Sequence, residues 1–233
     1  MANKRYKESL KKVENDKLYE LDSGLKLAID TATAGFDESI DISAKLGVDA
    51  KQADQQVRGA VSLPHGLGKN IRVVVFAKGE KEEEAKKAGA DFVGSEDLIE
   101  KIKSGWLEFD RVLATPDMMP TVAKIAKILG PKGLMPSPKT GAVTNRIGPS
   151  VEAEKKGKAS FRVDKNSIIH CSIGKKSMGF EKLKENYISL MEEILKLKPK
   201  SSKGTYIRSL SVSATMGPGL NLNPIQAVQK ELS

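Results

Sequence analysis

Ile71-Arg-Val-Val-Val-Phe-Ala77, with the charged run Glu80-Lys-Glu-Glu-Glu-Ala-Lys-Lys-Ala88 behind it, decides the fold class. The first run is strand-sized, rich in β-branched residues and interrupted only by Arg72. Near-continuous apolarity in a short strand signals burial on both faces. The second run reads as a charged helix. The alternation continues: Phe92-Val93 is a short strand, and Ser95 stands where it would cap a helix reaching about Lys103. Glu96 and Asp97 in its first turn suit the helix dipole. Arg111 to Ala114 is another strand, and Thr115-Pro-Asp leads into a helix ending near Leu129. Strands alternating with helices predict a parallel three-layer α/β unit of Rossmann-like type.

Beyond that helix lies Ile128-Leu-Gly-Pro-Lys-Gly-Leu-Met-Pro-Ser-Pro-Lys-Thr-Gly-Ala-Val-Thr144, with three Gly, three Pro and two Lys in seventeen residues. Pro fixes φ and removes a donor, and Gly permits positive φ. The segment is neither helix nor central strand but a stiff basic loop carrying Lys132 and Lys139. Leu134 and Met135 can close the core of its unit, with both Lys solvated.

The flanks follow a different grammar. Lys4 to Lys17 is charged and reads as a helix or a frayed end. Asp22 to Thr33 is a helix with Leu25, Ala28, Ile29 and Ala32 on one face. Glu38 to Leu46 alternates, with Ile40, Ile42, Ala44 and Leu46 on one side, and Val57 to Leu63 reads as a second strand. Ala159 to Asp164 and Ile168 to Ile173 read as a hairpin around Lys165-Asn166-Ser167. Phe180 to Leu197 is strongly amphipathic, with Phe180, Leu183, Tyr187, Leu190, Met191 and Ile194 on one face. Thr205 to Ser213 is a closing strand. These pieces predict a discontinuous α+β domain from 1–67 and 159–233, with 68–158 inserted. The Gly-rich joins at 64–69 and 141–158, with Gly66, Gly68 and Gly157, would be paired hinges. There is no internal repeat.

The chain has 233 residues and net charge +9. Residues 1–67 carry 10 basic and 11 acidic side chains, 68–158 carry 17 and 13, and 159–233 carry 12 and 6. The most basic part is therefore C-terminal, which points to a polyanion partner. No apolar run approaches the roughly 20 residues of a membrane span, and the N-terminus lacks the apolar core of a secretory signal. The single Cys171 excludes an internal disulfide and fits a reducing cytosol.

Catalytic patterns fail on spacing. Pro64-His-Gly-Leu-Gly-Lys69 has Leu63 and Asn70 where a phosphate loop needs Gly and Ser or Thr. His170 and Cys171 are strand neighbours and point to opposite faces. No His, Asp or Glu cluster has metal spacing, and there is no Gly-x-Ser-x-Gly elbow. A nucleotide-using enzyme built on the insert is thus disfavoured, and no cofactor or metal is expected.

Chemistry for RNA is present instead. Ser209, Ser211 and Ser213 share one strand face, offering short rigid donors and acceptors to 2′-OH and phosphate groups, or simply facing water on an edge strand. Thr215-Met216-Gly217 then turns away, with Met216 a soft apolar probe and Gly217 allowing close approach. Phe36 sits at a helix-to-strand junction, as a core plug or as a stacking platform for RNA. Lys165, Lys175, Lys176, Lys203 and Arg208 lie on or beside the same strands.

Phe36-Asp-Glu-Ser39, Lys45-Leu-Gly, Val57-Arg-Gly, Leu63-Pro-His-Gly-Leu-Gly-Lys69, Ala88-Gly-Ala-Asp91, Ala114-Thr-Pro-Asp117, Leu129-Gly-Pro-Lys-Gly-Leu-Met-Pro136, Ile169-His170, Ile173-Gly-Lys175 and Thr215-Met-Gly-Pro218 occur in this order. Together they resemble the large-subunit ribosomal protein family, first in that series, which builds the mobile stalk beside the tRNA exit site. The resemblance covers nearly the whole chain. It implies a hinged two-domain fold without catalysis, and rRNA binding by the discontinuous domain through Phe36, Ser39, Lys165, Lys175, Ser211, Thr215, Met216 and Gly217, with Ser209 on the same strand. It further implies release of deacylated exit-site tRNA, with Lys132 and Lys139 as transient contacts to tRNA or rRNA, repression of the protein's own operon through its mRNA, and a monomer off the ribosome. The sequence departs from the family at Gly35, where a basic residue is common, and at Ser43, where some members have His.

Overall fold

The computed structural model describes residues 4–14, 17–202 and 204–229. They divide into two compact units: the chain up to Gly68 together with that from Ala159 onward, and Lys69–Lys158. Each unit has its own buried apolar residues.

In chain order the first unit begins with α1 (Lys4–Lys11), α2 (Leu21–Thr31), β1 (Ser39–Leu46) and β2 (Arg58–Ser62). The second holds β3 (Val73–Phe76), α3 (Glu80–Lys87), β4 (Phe92–Gly94), α4 (Glu96–Lys103), β5 (Arg111–Ala114), α5 (Met119–Val122), α6 (Ala126–Leu129) and α7 (Ile147–Lys155). The chain then returns through β6 (Lys158–Arg162), β7 (Ile168–Lys175), α8 (Phe180–Lys196), β8 (Ile207–Ala214), β9 (Leu220–Leu222) and α9 (Pro224–Gln229). Among the described residues no helix is long and apolar enough to cross a membrane.

The first unit is built on an antiparallel sheet of order β7-β1-β8-β9. Ile40, Ile42, Ala44 and Leu46 of β1 point into the core, as strand alternation requires. They meet Leu25 and Ala28 of α2 and the apolar stripe of α8, where Leu183, Tyr187, Leu190, Met191 and Ile194 are buried. Each fully buried Leu or Ile contributes about 1.5–3 kcal/mol. α2 and α8 cover this face.

The second unit is a parallel sheet of order β4-β3-β5. Val73, Val74, Val75 and Phe76 are all fully buried, which is why that run shows no alternation. Val73, Val75 and Leu113 pack with Ala85 of α3 and Ile147 and Val151 of α7. Val74, Phe76 and Val112 pack with α4 and with Val122, Ile125 and Leu129. Ala142–Thr144 extends the sheet past β5, where Ala142 C=O accepts from Ala114 N–H at 3.0 Å and Thr144 N–H donates to Ala114 C=O at 3.1 Å.

Several expected elements are corrected. Ala159 to Ile173 is not a plain hairpin: β6 pairs with β2 and β7 with β1, and a lone bridge joins Val163 to Ile169. At the corner, Ser167 has φ 62° and the Asp164 carboxylate accepts the N–H groups of Asn166 and Ile168, both at 2.8 Å. β8 is not an edge strand, because β9 pairs with Leu210–Val212 on its far side. Ser95 makes no side-chain cap hydrogen bond. The Pro116–Leu129 segment is broken into alternating 3-10 and α turns, with Pro116 and Pro120 in the first positions of the first two, where a missing N–H is tolerated.

Candidate nucleic-acid interface

The face of the four-stranded sheet opposite α2 and α8 is polar. Register places His170 of β7, Ser43 of β1, Ser211 of β8 and Asn221 of β9 in one row across four strands. Ser172, Asp41 and Ser213 form the next row. Ser43 Oγ lies 3.0 Å from His170 Nδ1, and which atom donates depends on the imidazole tautomer. Asp164 Oδ2 lies 3.9 Å from His170 Nε2. Strand alternation puts Cys171 on the buried side and His170 on the open side.

At one end of this face three segments are tied together. The first is the α2–β1 connection with Phe36 and Asp37, the second the end of β7 with Lys175–Ser177, and the third the β8–β9 turn with Thr215–Gly217. Glu38 is the knot. It is 1% exposed, and its two carboxylate oxygens accept the N–H of Ala34 at 2.6 Å and of Met216 at 2.8 Å. Its carbonyl accepts the N–H of Lys176 at 2.8 Å. Thr215 Oγ1 accepts the N–H of Ser39 at 3.0 Å and donates to Ser39 C=O at 3.2 Å.

Asp37 adds a second tie. Its carboxylate accepts the Ser177 hydroxyl at 2.7 Å and the Ser177 N–H at 3.0 Å. The Ser177 hydroxyl above all, with its N–H and the charges of Lys175 and Lys176, holds the Asp37 carboxyl below its ordinary 3.8 against partial desolvation. Lys175 Nζ donates to Asp37 C=O at 2.9 Å, and Lys176 Nζ donates to Ala32 C=O at 2.5 Å. β7 reaches this end through a bulge opposite Ile40/Asp41. There Gly174 has φ 152°, and a Cβ would lie 2.7 Å from Met178 Sδ and 2.9 Å from Leu183 Cδ2. A side chain at this φ is strained, and its Cβ would push both of those side-chain ends aside.

Phe36 and Met216 stand out of this knot at 54% and 52% exposure. Phe36 is therefore not a core plug. Phe36, Ser39, Lys175, Thr215, Met216 and Gly217 come together at this end, with Ser211 at mid-sheet. Ser209 pairs with Lys45 near the opposite end, where the exposed Lys165 also sits in the Asp164–Ser167 turn. A Cβ on Gly217 would lie 3.2 Å from that of Ala214, so its smallness serves the turn itself. Lys203 lies outside the described residues.

Gly66 and Gly68 have φ of 66° and Gly157 of 93°. The Gly66 carbonyl is held by Nδ2 of the buried Asn186 at 2.9 Å. Gly157 ends α7, its N–H donating to Glu154 C=O at 3.1 Å. In the second unit Lys132 is exposed, while Leu134 and Met135 pack on the core. Lys139 lies in the 3-10 turn Pro138–Thr140, and its side chain lies outside the described residues.

Sequence reasoning missed Glu38, Asp37, Ser177 and Asn221 as parts of this surface. Nothing in the pattern of Phe36-Asp-Glu-Ser39 separates the two acids, and only burial distinguishes Glu38 from Asp37. Asn221 belongs to a three-residue strand that carries no pattern long enough to detect.

Residues 28–218 match the model of the ribosomal protein L1p/L10e family, a span that takes in every candidate RNA contact from Phe36 to Gly217. The large ribosomal subunit protein uL1 of Bdellovibrio bacteriovorus is 60% identical over 224 residues, covering 96% of this chain and 96% of that protein. With most of its length matched and a relative this near, the chain belongs to the ribosomal protein L1p/L10e family.

Proposed function

We propose that the chain is a structural, non-catalytic component of the large ribosomal subunit in the cytoplasm, and that the discontinuous domain, 1–67 with 159–233, binds large-subunit rRNA at the stalk. The observation that carries this reading is the pair Phe36 and Met216, two exposed apolar side chains on loops fixed by one buried carboxylate beside an open polar sheet. Exposed apolar groups on a rigid frame suit unstacked bases, and the rows of hydroxyls suit ribose and phosphate. Lys175 and Lys165 supply positive charge at the two ends of the sheet.

The insert, 68–158, is read as the moving part, joined through Gly66, Gly68 and Gly157. Lys132 and Lys139 would meet exit-site tRNA or rRNA transiently and assist release of deacylated tRNA. An mRNA element shaped like the rRNA site would bind the same surface, so repression of the protein's own operon follows from the same contacts. The protein would be a monomer off the ribosome.

Filter binding of a stalk rRNA fragment tests the central claim. Met216→Ala should weaken binding by roughly 1–3 kcal/mol with the melting temperature unchanged. Lys175→Ala should instead lower the salt slope by about one. Equal loss of stability and affinity in Met216→Ala would make Met216 packing and sink the reading.

A further inference from the structure

The second unit contains a site that the RNA surface of the first does not use. In a parallel sheet of order β4-β3-β5, the connection from β3 runs to one side and β5 lies on the other. The crevice at the carboxyl ends of β3 and β5 is therefore the topological switch point, where open α/β sheets hold ligands. A cavity of 220 Å³ lies there, lined by Lys78, Glu80, Lys81, Thr115 and Asp117.

Three donor groups converge on it. Thr115 is 1% exposed, and its backbone is committed to Phe76 C=O and Met118 N–H, both at 3.0 Å. Its hydroxyl has no partner among the described residues. Among the described residues every fully enclosed side-chain polar atom finds a partner, so this unpartnered hydroxyl opens on the cavity. The N-terminus of the eight-residue α3 is the second donor. Glu82 N–H closes on Gly79 C=O at 2.9 Å, which leaves the N–H groups of Glu80 and Lys81 as orphan helix donors. Gly79 has φ 62°, and a Cβ there would meet nothing within 4 Å, so this backbone is open to approach. Lys78 is the third donor, an exposed ammonium with no partner among the described residues. Lys81 is partly engaged, donating to Asn145 Oδ1 at 3.0 Å and lying 3.9 Å from Asp117 Oδ2.

The carboxylates of Glu80 and Asp117 in the same lining disfavour a bare anion, and they accept hydrogen bonds from hydroxyls. From this mixed set we infer that the crevice binds a ribose phosphate. The phosphate lies against Lys78, the Thr115 hydroxyl and the α3 N-terminus, and the ribose hydroxyls lie against Asp117 and Glu80. The cavity is smaller than the roughly 300 Å³ of a typical complete ligand pocket, so the base remains outside. The source is a free ribonucleotide or one unit of an RNA strand. The inference is independent of the rRNA reading of the first unit.

Amide-resolved titration of the full chain tests it. The probes are AMP, a single-stranded RNA tetramer, their deoxy counterparts and inorganic phosphate. Saturable shifts at Gly79, Glu80, Lys81 and Thr115 are expected at millimolar concentrations, with deoxy ligands at least about tenfold weaker. Saturation by AMP identifies a free nucleotide, and saturation by the tetramer alone identifies an RNA strand. Thr115→Val, nearly isosteric, and Lys78→Ala, on the surface, should each weaken binding about tenfold. The absence of shifts at these amides, phosphate binding as well as AMP, or unchanged affinity in Lys78→Ala would each overturn the assignment.

Discussion

The antiparallel sheet β7-β1-β8-β9 leaves one face uncovered, and across it run His170, Ser43, Ser211 and Asn221. The parallel sheet β4-β3-β5 is covered on both faces, and Val73, Val74, Val75 and Phe76 run through its centre. The difference sets what each unit can recognise. An open antiparallel face presents side chains on a rigid two-dimensional grid, fixed by hydrogen bonds on either side. A doubly covered parallel sheet presents only its strand ends and the loops beyond them. A long polyanion therefore suits the first unit, and a small group or a passing contact suits the second.

The largest expected effects would break this comparison if they crossed from one unit to the other. Leu183 lies under the open sheet and Leu113 inside the parallel one, and both are fully buried. Truncating either to Ala should cost about 2–5 kcal/mol through lost burial and a residual cavity. Leu183→Ala should lower stalk-RNA binding near its own melting temperature. Leu113→Ala should leave that binding intact wherever the first unit stays folded. Loss of RNA affinity in Leu113→Ala, at a temperature where hydrogen exchange shows the first unit intact, would make the two units one recognition body.

A smaller effect separates frame from contact within the first unit. Glu38→Ala strands the N–H groups of Ala34 and Met216 and should cost about 1–3 kcal/mol of stability. It should also raise the rRNA dissociation rate, because Phe36 and Met216 lose their fixed positions. Met216→Ala should change the dissociation rate alone. If Glu38→Ala lowered stability and left the dissociation rate unchanged, the loops would be held in place by Thr215 and Asp37 instead.

Much of the fold is legible because apolar residues report their environment directly. Period-two burial in Ile40 to Leu46, unbroken burial in Val73 to Phe76 and the stripe on α8 need only local pattern. Strand pairing is less legible. Nothing in Ala159 to Ile173 says that its halves enter different sheets, since that depends on a positive φ at Ser167 and on the reach of Asp164. Of the interface, the apolar and basic members announce themselves by type. The residues that fix them do not, because a buried Glu38 and an exposed Asp37 look alike until the chain has folded around one of them.

The loop from Gly130 to Gly141 tests the second half of the comparison. Lys132→Ala with Lys139→Ala should leave stalk-RNA affinity nearly unchanged, since the open sheet supplies it. On ribosomes that carry the variant fully, tRNA release should slow. Leu134 and Met135, which pack on the core, remain in place. Unchanged release kinetics would reduce the loop to a closure for the core and remove tRNA contact from the role of the insert.

The smallest effect is in pH dependence, where the two units should differ in sign. In the first, the Ser177 hydroxyl and N–H hold the Asp37 carboxyl below its ordinary 3.8. Its stabilisation is complete above that value and is lost as pH falls through the lowered one. In the second, Glu154 is 6% exposed, between Arg111 Nε at 3.5 Å and Lys158 Nζ at 3.7 Å. Burial pushes its carboxyl above the ordinary 4.5, and the two cations only partly offset it. The folded insert then holds a proton that the unfolded chain has released. Stability of the insert should accordingly fall as pH rises from about 4.5 towards the raised value, and stay flat beyond it. Over that interval Asp37 is largely ionised in both states and contributes little slope. Glu154→Gln should flatten the insert's melting temperature above 4.5, and Asp37→Asn should flatten the first unit's acid limb below 3.8. A wild-type insert that gained stability on rising through that window would mean that Arg111 and Lys158 outweigh burial, leaving both carboxylates stabilised by charge and the contrast between the units confined to their sheets.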